Sequence, residues 1–80
     1  MKVWISKYSL SQGVYEIEVE DCGDGIVRTK EAFSVFFHEE GKDWHKTKES
    51  ALAKAEEMRQ RKIESLKKQI SKLEKIEFIL

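Results

Sequence analysis

The longest regular feature of this sequence is a helical run over residues 47–75, in which neither Gly nor Pro occurs. Thr47 can cap its first turn through the side-chain hydroxyl, and Glu49 places a negative charge at the positive end of the helix dipole. At about 1.5 Å per residue this helix is roughly 43 Å long, whereas a strand of six or seven residues spans about 20 Å. The sequence therefore predicts a helix that extends far beyond any sheet beneath it.

The first 43 residues predict that sheet. All four glycines lie before residue 42, between short segments rich in β-branched and aromatic residues. The predicted strands are residues 3–8, 14–20, 26–30 and 33–38, with a turn at 10–13 and a loop at 22–25. Phe33, Val35 and Phe37 of the last strand should face one way. Because each connection is short, an antiparallel four-stranded meander is the simplest arrangement.

The expected fold class is therefore α+β, in one domain covering residues 1–80. Its parts are a sheet over 1–43, a helix over 47–75 and an apolar tail over 76–80. A chain of this length leaves a large fraction of its surface exposed even when folded, so association with a second chain is one way to stabilise it.

The two halves of the helix carry different apolar residues. In the first half, small or flexible side chains should let the helix sit close to the sheet: Ala51, Leu52, Ala55 and Met58. In the second half, Ile63, Leu66, Ile70 and Leu73 are spaced alternately by three and four residues, the a/d pattern of a coiled coil. Isoleucine at a with leucine at d favours two strands, so we expect a homodimer formed through this helix.

The tail adds four apolar residues that we expect to cap the sheet or core of the partner: Ile76, Phe78, Ile79 and Leu80. The charged residues beside the a and d positions do not fix whether the two helices pair parallel or antiparallel. In a parallel dimer Lys62 would face Lys67 of the partner, whereas an antiparallel dimer lets Lys67 meet Glu74. Such surface pairs contribute about 0–1 kcal/mol each, so this preference for antiparallel pairing is small.

The net charge of zero conceals two oppositely charged halves. Residues 1–43 hold five Lys or Arg against nine Asp or Glu, and residues 44–80 hold ten against six. One candidate protein-binding surface is an acidic strand face, formed by Glu16, Glu18, Glu20, Asp21 and Asp24. The alternative is a nucleic-acid-binding helix face, formed by Arg59, Arg61, Lys62, Lys67 and Lys68. Alternating charges on a strand or a helix are also typical of a solvated surface.

The residue types that carry chemistry are scarce. Cys22, His38 and His45 are the only thiol and imidazoles. Their spacing does not match a structural zinc site, which needs four ligands in close pairs. We expect no catalytic residues, no metal and no cofactor, and therefore a non-enzymatic protein. A lone cysteine, with no signal peptide and no apolar run long enough for a membrane span, favours the cytosol.

Several segments resemble small accessory proteins of bacteriophages and prophages. They are residues 1–8, residues 41–47, and the helix runs 55–59 and 66–70. The resemblance implies a phage or mobile-element protein acting in the bacterial cytosol, a class that includes stoichiometric inhibitors of host defence proteins. It supplies no site residues. The expected function is thus a homodimeric protein-binding module whose other partner is a host protein.

Overall fold

A computed structural model describes residues 1–31 and 33–78 of the chain. It is α+β, with an antiparallel sheet followed by a long C-terminal helix, as the sequence predicts. The elements are β1 (Lys2–Ile5), α1 (Ser9–Gln12), β2 (Tyr15–Gly23), β3 (Ile26–Thr29), β4 (Phe36–Phe37), β5 (Trp44–His45) and α2 (Lys48–Glu74).

The sheet has five strands in the order β4-β3-β2-β1-β5. The first four follow the predicted meander, but the prediction of a four-stranded sheet is wrong. The fifth strand pairs antiparallel with β1, with Trp44 opposite Ile5 and His45 opposite Trp4. Two residues are too few to show an alternating pattern, and their pairing partner lies about 40 positions earlier in the chain.

The sheet is curled. Its edge strands β4 and β5 are joined by residues 38–43, and part of this link is a turn in which the Asp43 amide donates to the Glu39 carbonyl at 2.9 Å. In a flat five-stranded sheet the two edge strands are about 19 Å apart, a distance that the folded segment 38–43 does not span. The two edges therefore approach each other, and the Trp44 indole N–H donates to the Gly25 carbonyl, at the β2–β3 turn, at 2.8 Å.

The core lies inside the curl. Its buried members come from all five strands: Val3, Ile5, Val19, Val27, Phe37 and Trp44. Tyr15 and Ile17 pack against this cluster. The three glutamates of β2 lie on its opposite, exposed face, so apolar and acidic residues alternate along the strand.

The fourth strand differs from its prediction. Phe37 is buried, but Phe33 is 91 % exposed and Val35 is also exposed, so the three do not share a buried face. The amide of Val35 donates to the Thr29 hydroxyl, and its carbonyl accepts from the Thr29 amide, both at 3.0 Å. This local bonding closes a loop ahead of β4 and confines the strand to Phe36–Phe37.

Two turns also differ in detail. The segment predicted as a turn at 10–13 contains the short helix α1, and residues 22–23 of the predicted loop continue β2. The reversal itself is made by Asp24 and Gly25, whose φ angles are 53° and 76°. Positive φ at both central residues is the geometry of a type I′ hairpin, for which Asp-Gly is a favoured pair.

Helix α2 has the predicted length. The Thr47 hydroxyl accepts from the Ser50 amide at 3.2 Å, which confirms Thr47 as the N-cap, and Lys75 is the C-cap. Ala51 is buried and Met58 half-buried, whereas Leu52, expected to pack on the sheet, is exposed. Every residue from 59 to 70 is exposed, and the molecule measures 60 × 27 × 21 Å. The helix therefore projects well beyond the sheet.

Candidate helical interface

The projecting half of α2 carries an apolar strip, which we call the helical stripe: Ile63, Leu66, Ile70 and Leu73. At 100° per residue these four side chains fall within an arc of about 80° on the helix. Their exposure rises from 38 % at Ile63 to 67 % at Leu73. The predicted interface residues of the helix are therefore brought together on one face, and that face is open to solvent.

The tail continues this apolar surface. The Ile76 amide donates to the Leu73 carbonyl at 3.3 Å, which holds the start of the tail against the helix end. Ile76 is half exposed, and Phe78 is 88 % exposed. Ile79 and Leu80 lie outside the described residues. Burying a phenylalanine side chain contributes about 1.5–3 kcal/mol, so Phe78 is a large uncovered apolar group.

The base of the projecting half is stabilised by ion pairs along the helix. Arg59 contacts Glu56 at 2.5 Å, and Arg61 contacts Glu57 at 2.7 Å. Pairs at this spacing contribute about 0.2–0.5 kcal/mol each to helix stability. Hydrogen bonds from Arg59 and from Gln60 lower the pKa of Glu56. Both arginines of the alternative nucleic-acid-binding face are thus engaged with carboxylates.

The acidic strand face is balanced by cations from neighbouring strands. Glu20 contacts Arg28 of β3 at 2.6 Å, and Glu16 contacts Lys2 of β1 at 3.7 Å. Glu18 accepts from the amino group of Met1 at 2.7 Å and lies 3.4 Å from Lys30. The contact with the amino group is the main reason why the pKa of Glu18 is lowered. These glutamates therefore do not form a row of unbalanced negative charge.

The two aspartates predicted to belong to this surface lie at the hairpin end. The carboxylate of Asp21 accepts from the Gly23 amide at 2.8 Å, and Asp24 belongs to the I′ turn. Asp21 is paired with core residue Val27, whereas Glu20 is paired with exposed Arg28, so Asp21 does not share the strand face of the glutamates. The partner-binding role of the five acidic residues stays a prediction.

A polar cluster around buried His45 was not expected from the sequence. His45 lies between two serines, with Nε2 2.7 Å from the Ser6 hydroxyl and Nδ1 2.8 Å from the Ser50 hydroxyl. The Ser6 hydroxyl donates its single proton to the Lys42 carbonyl at 2.9 Å, so it accepts from Nε2–H. Nδ1 then accepts from Ser50. The neutral imidazole thus joins the end of β1, strand β5 and the first turn of α2.

The environment of His45 favours that neutral form. Burial lowers its pKa, and the positive charge of Lys54 acts in the same direction, while Glu40 opposes both. The Ser6 hydroxyl is fully buried and already donates to a backbone carbonyl. These contacts account for the cluster as a structural connection between sheet and helix. The signal for it in the sequence is three isolated polar residues, which have no distinctive spacing.

The other two residues considered for chemistry lie at the surface. Cys22 is exposed in β2, and His38 is exposed after β4. Within residues 1–31 and 33–78, no three His, Cys, Asp or Glu side chains lie close enough to hold a metal ion, and there is no pocket. Neither helix of this described part is long and apolar enough to cross a bilayer.

Comparison with protein-family models, with curated proteins and with solved structures found no match to this chain.

Proposed function

We propose that the protein is a homodimeric protein-binding module in which the helical stripes of two copies pack against each other. The observation that carries this proposal is an unbroken 27-residue helix whose apolar a/d face is exposed over its whole projecting half. An apolar face at coiled-coil spacing is complementary to a second copy of itself, because each knob fits a hole of the same pattern.

The expected affinity follows from the exposed side chains. Covering eight half-exposed Ile and Leu side chains contributes roughly 8 kcal/mol, and covering Ile76 and Phe78 of both copies adds about 4 kcal/mol. Association costs at least about 4 kcal/mol in lost translational and rotational freedom. The difference of at most about 8 kcal/mol corresponds to a Kd no lower than about 1 μM. The tails are therefore needed for a dimer of this affinity.

The helical seam is tested by placing charges in it. Ile63→Asp with Ile70→Asp puts two carboxylates at a positions, where pairing would bury them. We expect this variant to be monomeric by size-exclusion chromatography with light scattering at high micromolar concentration. The control is Ser65→Asp with Ser71→Asp, which adds the same charge about 120° away from the centre of the stripe.

We expect the control variant to remain dimeric, and both variants to keep the helical circular dichroism of the parent. A dimer that persists in the Ile63→Asp, Ile70→Asp variant would place the contact elsewhere and end the proposal. A parent protein that is monomeric at high micromolar concentration would end it as well.

The proposed second partner is a protein of the host cell, and the proposed consequence of binding is inhibition. The resemblance to phage accessory proteins supports this part of the proposal. A pull-down from host lysate, with Glu16, Glu18 and Glu20 changed to Gln in a parallel sample, tests it. We expect a stoichiometric partner that the triple variant fails to retain; recovery of the same partner by both proteins argues against the acidic strand face.

Nucleic-acid binding by the helix is the alternative function. The observation in its favour is that Lys62, Lys67 and Lys68 are exposed on the projecting half of α2. Binding through phosphates requires affinity that falls steeply with salt. Fluorescence anisotropy with labelled duplex and single-stranded DNA at low salt tests this alternative, and the absence of binding there rejects it.

A further inference from the structure

We infer that the ion pair between Glu56 and Arg59 ends the helical seam, the contact between the stripes of two copies, so that pairing is confined to the part of α2 beyond this pair. The proposed homodimer is the premise, and what is added is the pair of residues that limits its interface. The limit applies to parallel and antiparallel helices alike, because it is set by the residues of each helix separately.

The heptad of the helical stripe continues towards the start of α2. With Ile63 at an a position, Arg59 and Glu56 occupy the preceding d and a positions. At 100° per residue, Arg59 lies at the centre of the arc of the stripe, and Glu56 lies about 60° from that centre. The next d position is Leu52, which is 48 % exposed and lies about 20° from the same centre. The a/d face is therefore apolar on both sides of one charged pair.

The two charged groups contact each other on that face. The guanidinium of Arg59 lies 2.5 Å from the carboxylate of Glu56, and the side-chain amide of Gln60 donates to the same carboxylate at 2.9 Å. Both contacts lower the pKa of Glu56, so its carboxylate is ionised at neutral pH. The side chains of Arg59 and Glu56 are 61 % and 50 % exposed. A second helix packed over this face would remove water from both charges.

Covering this pair with a second helix is unfavourable. Two ionised groups lose their hydration when they enter an apolar interface, and their attraction offsets that loss only where the geometry is excellent and further hydrogen bonds are made. A single polar residue at an a position is enough to set the register of a coiled coil at a cost in stability. The seam therefore stops between Arg59 and Ile63, and Leu52 takes no part in self-association.

A second ion pair of the same composition lies off the seam. Glu57 and Arg61 are 2.7 Å apart, and their side chains are 45 % and 74 % exposed. Both residues lie about 160° from the centre of the stripe, on the opposite side of the helix. A second copy packed on the stripe would leave this pair in water. It is therefore a matched control for the pair of Glu56 and Arg59.

Replacing each pair with leucines tests the limit. Glu56→Leu with Arg59→Leu removes one charge of each sign and joins Leu52 to the stripe, whereas Glu57→Leu with Arg61→Leu makes the same chemical change on the opposite side of the helix. We expect the first variant to lower the Kd of the dimer at least tenfold, measured by sedimentation velocity. We expect the control to change the Kd less than threefold. An unchanged Kd in the first variant, or an equal decrease in both, overturns the inference.

A single substitution in the unmodified helix tests the limit independently of the leucine variants. Leu52→Asp changes an exposed residue beyond the charged pair, so we expect it to change the Kd less than twofold. A tenfold rise in the Kd would overturn the inference, because the seam would then already include residue 52. The unmodified protein is measured in parallel. If it is monomeric at high micromolar concentration, the proposed homodimer itself is refuted, a result that is read from that sample alone.

Discussion

Replacing Trp44 with phenylalanine should destabilise the protein by about 3 kcal/mol. The indole N–H of Trp44 donates to the Gly25 carbonyl at 2.8 Å, and the side chain is 3 % exposed. The substitution removes that bond and leaves a partly buried carbonyl without the donor, at a combined cost of about 2 kcal/mol. The smaller ring leaves space in the core, which costs about 1 kcal/mol more. A chain of this length has a free energy of unfolding of roughly 4–12 kcal/mol, so the loss is large.

Urea denaturation followed by far-UV circular dichroism measures this loss. Protein concentration must be held constant, since dimerisation would itself contribute to the stability. With an m-value near 1 kcal/mol/M, we expect the midpoint to fall by about 3 M. The control is Trp4→Phe, the same change at a half-buried site beneath the Lys48 ammonium, where the ring lies on the other face of the sheet.

The control should lose about 1 kcal/mol, because only part of an apolar ring is removed from a partly covered site. Equal losses for the two variants would contradict this prediction. In that case the bond to Gly25 would contribute nothing beyond ring burial, and the closing of the sheet between β5 and the β2–β3 turn would need another explanation.

Three further results are expected. The pKa of buried His45 lies below the value near 6.5 of the unfolded chain, so the unfolded state binds more protons between those two pKa values. The free energy of unfolding should therefore fall as the pH drops below about 6.5. Urea midpoints at pH 7.5 and pH 5 measure this, and a midpoint that is equal or higher at pH 5 contradicts it. Thr47→Ala should cost about 1 kcal/mol through loss of the N-cap, whereas Thr47→Ser should be nearly neutral by the same assay. Phe78→Ser should raise the Kd of the dimer at least tenfold, since a side chain this size contributes about 1.5–3 kcal/mol when buried, and an unchanged Kd would exclude Phe78 from the interface.

The long helix was predictable because its evidence is local. The absence of Gly and Pro, the capping hydroxyl of Thr47 and the heptad spacing all lie within the helix itself, and its bounds agree with the prediction to one residue at each end. The second strand was predictable for the same reason, since the alternation from Tyr15 to Glu20 is written in consecutive residues.

The features that the sequence did not reveal depend on residues far apart in the chain. Strand β5 is two residues long and exists because β1 offers an edge to it. The sequence shows that β2 is acidic, but it does not show that the cations paired with Glu16 and Glu20 lie on β1 and β3. The cluster of His45 with Ser6 and Ser50 likewise joins three segments that no local pattern relates.

The exposed face of α2 was predicted by comparing the length of the helix with the lengths of the strands. A helix of 27 residues on strands of two to nine residues cannot be covered by its own sheet, and residues 59–70 are indeed exposed. What covers that face is the central question about this protein, and the proposed answer is a second copy.

Sedimentation velocity of the unmodified protein, from low to high micromolar concentration, tests that answer most directly. We expect a rise in the weight-average mass from one chain towards two, with a midpoint at or above about 1 μM, the lower limit of the Kd worked out from the buried side chains. A mass that stays at one chain throughout this range would contradict it, because the helical stripe would then remain exposed in a stable monomer.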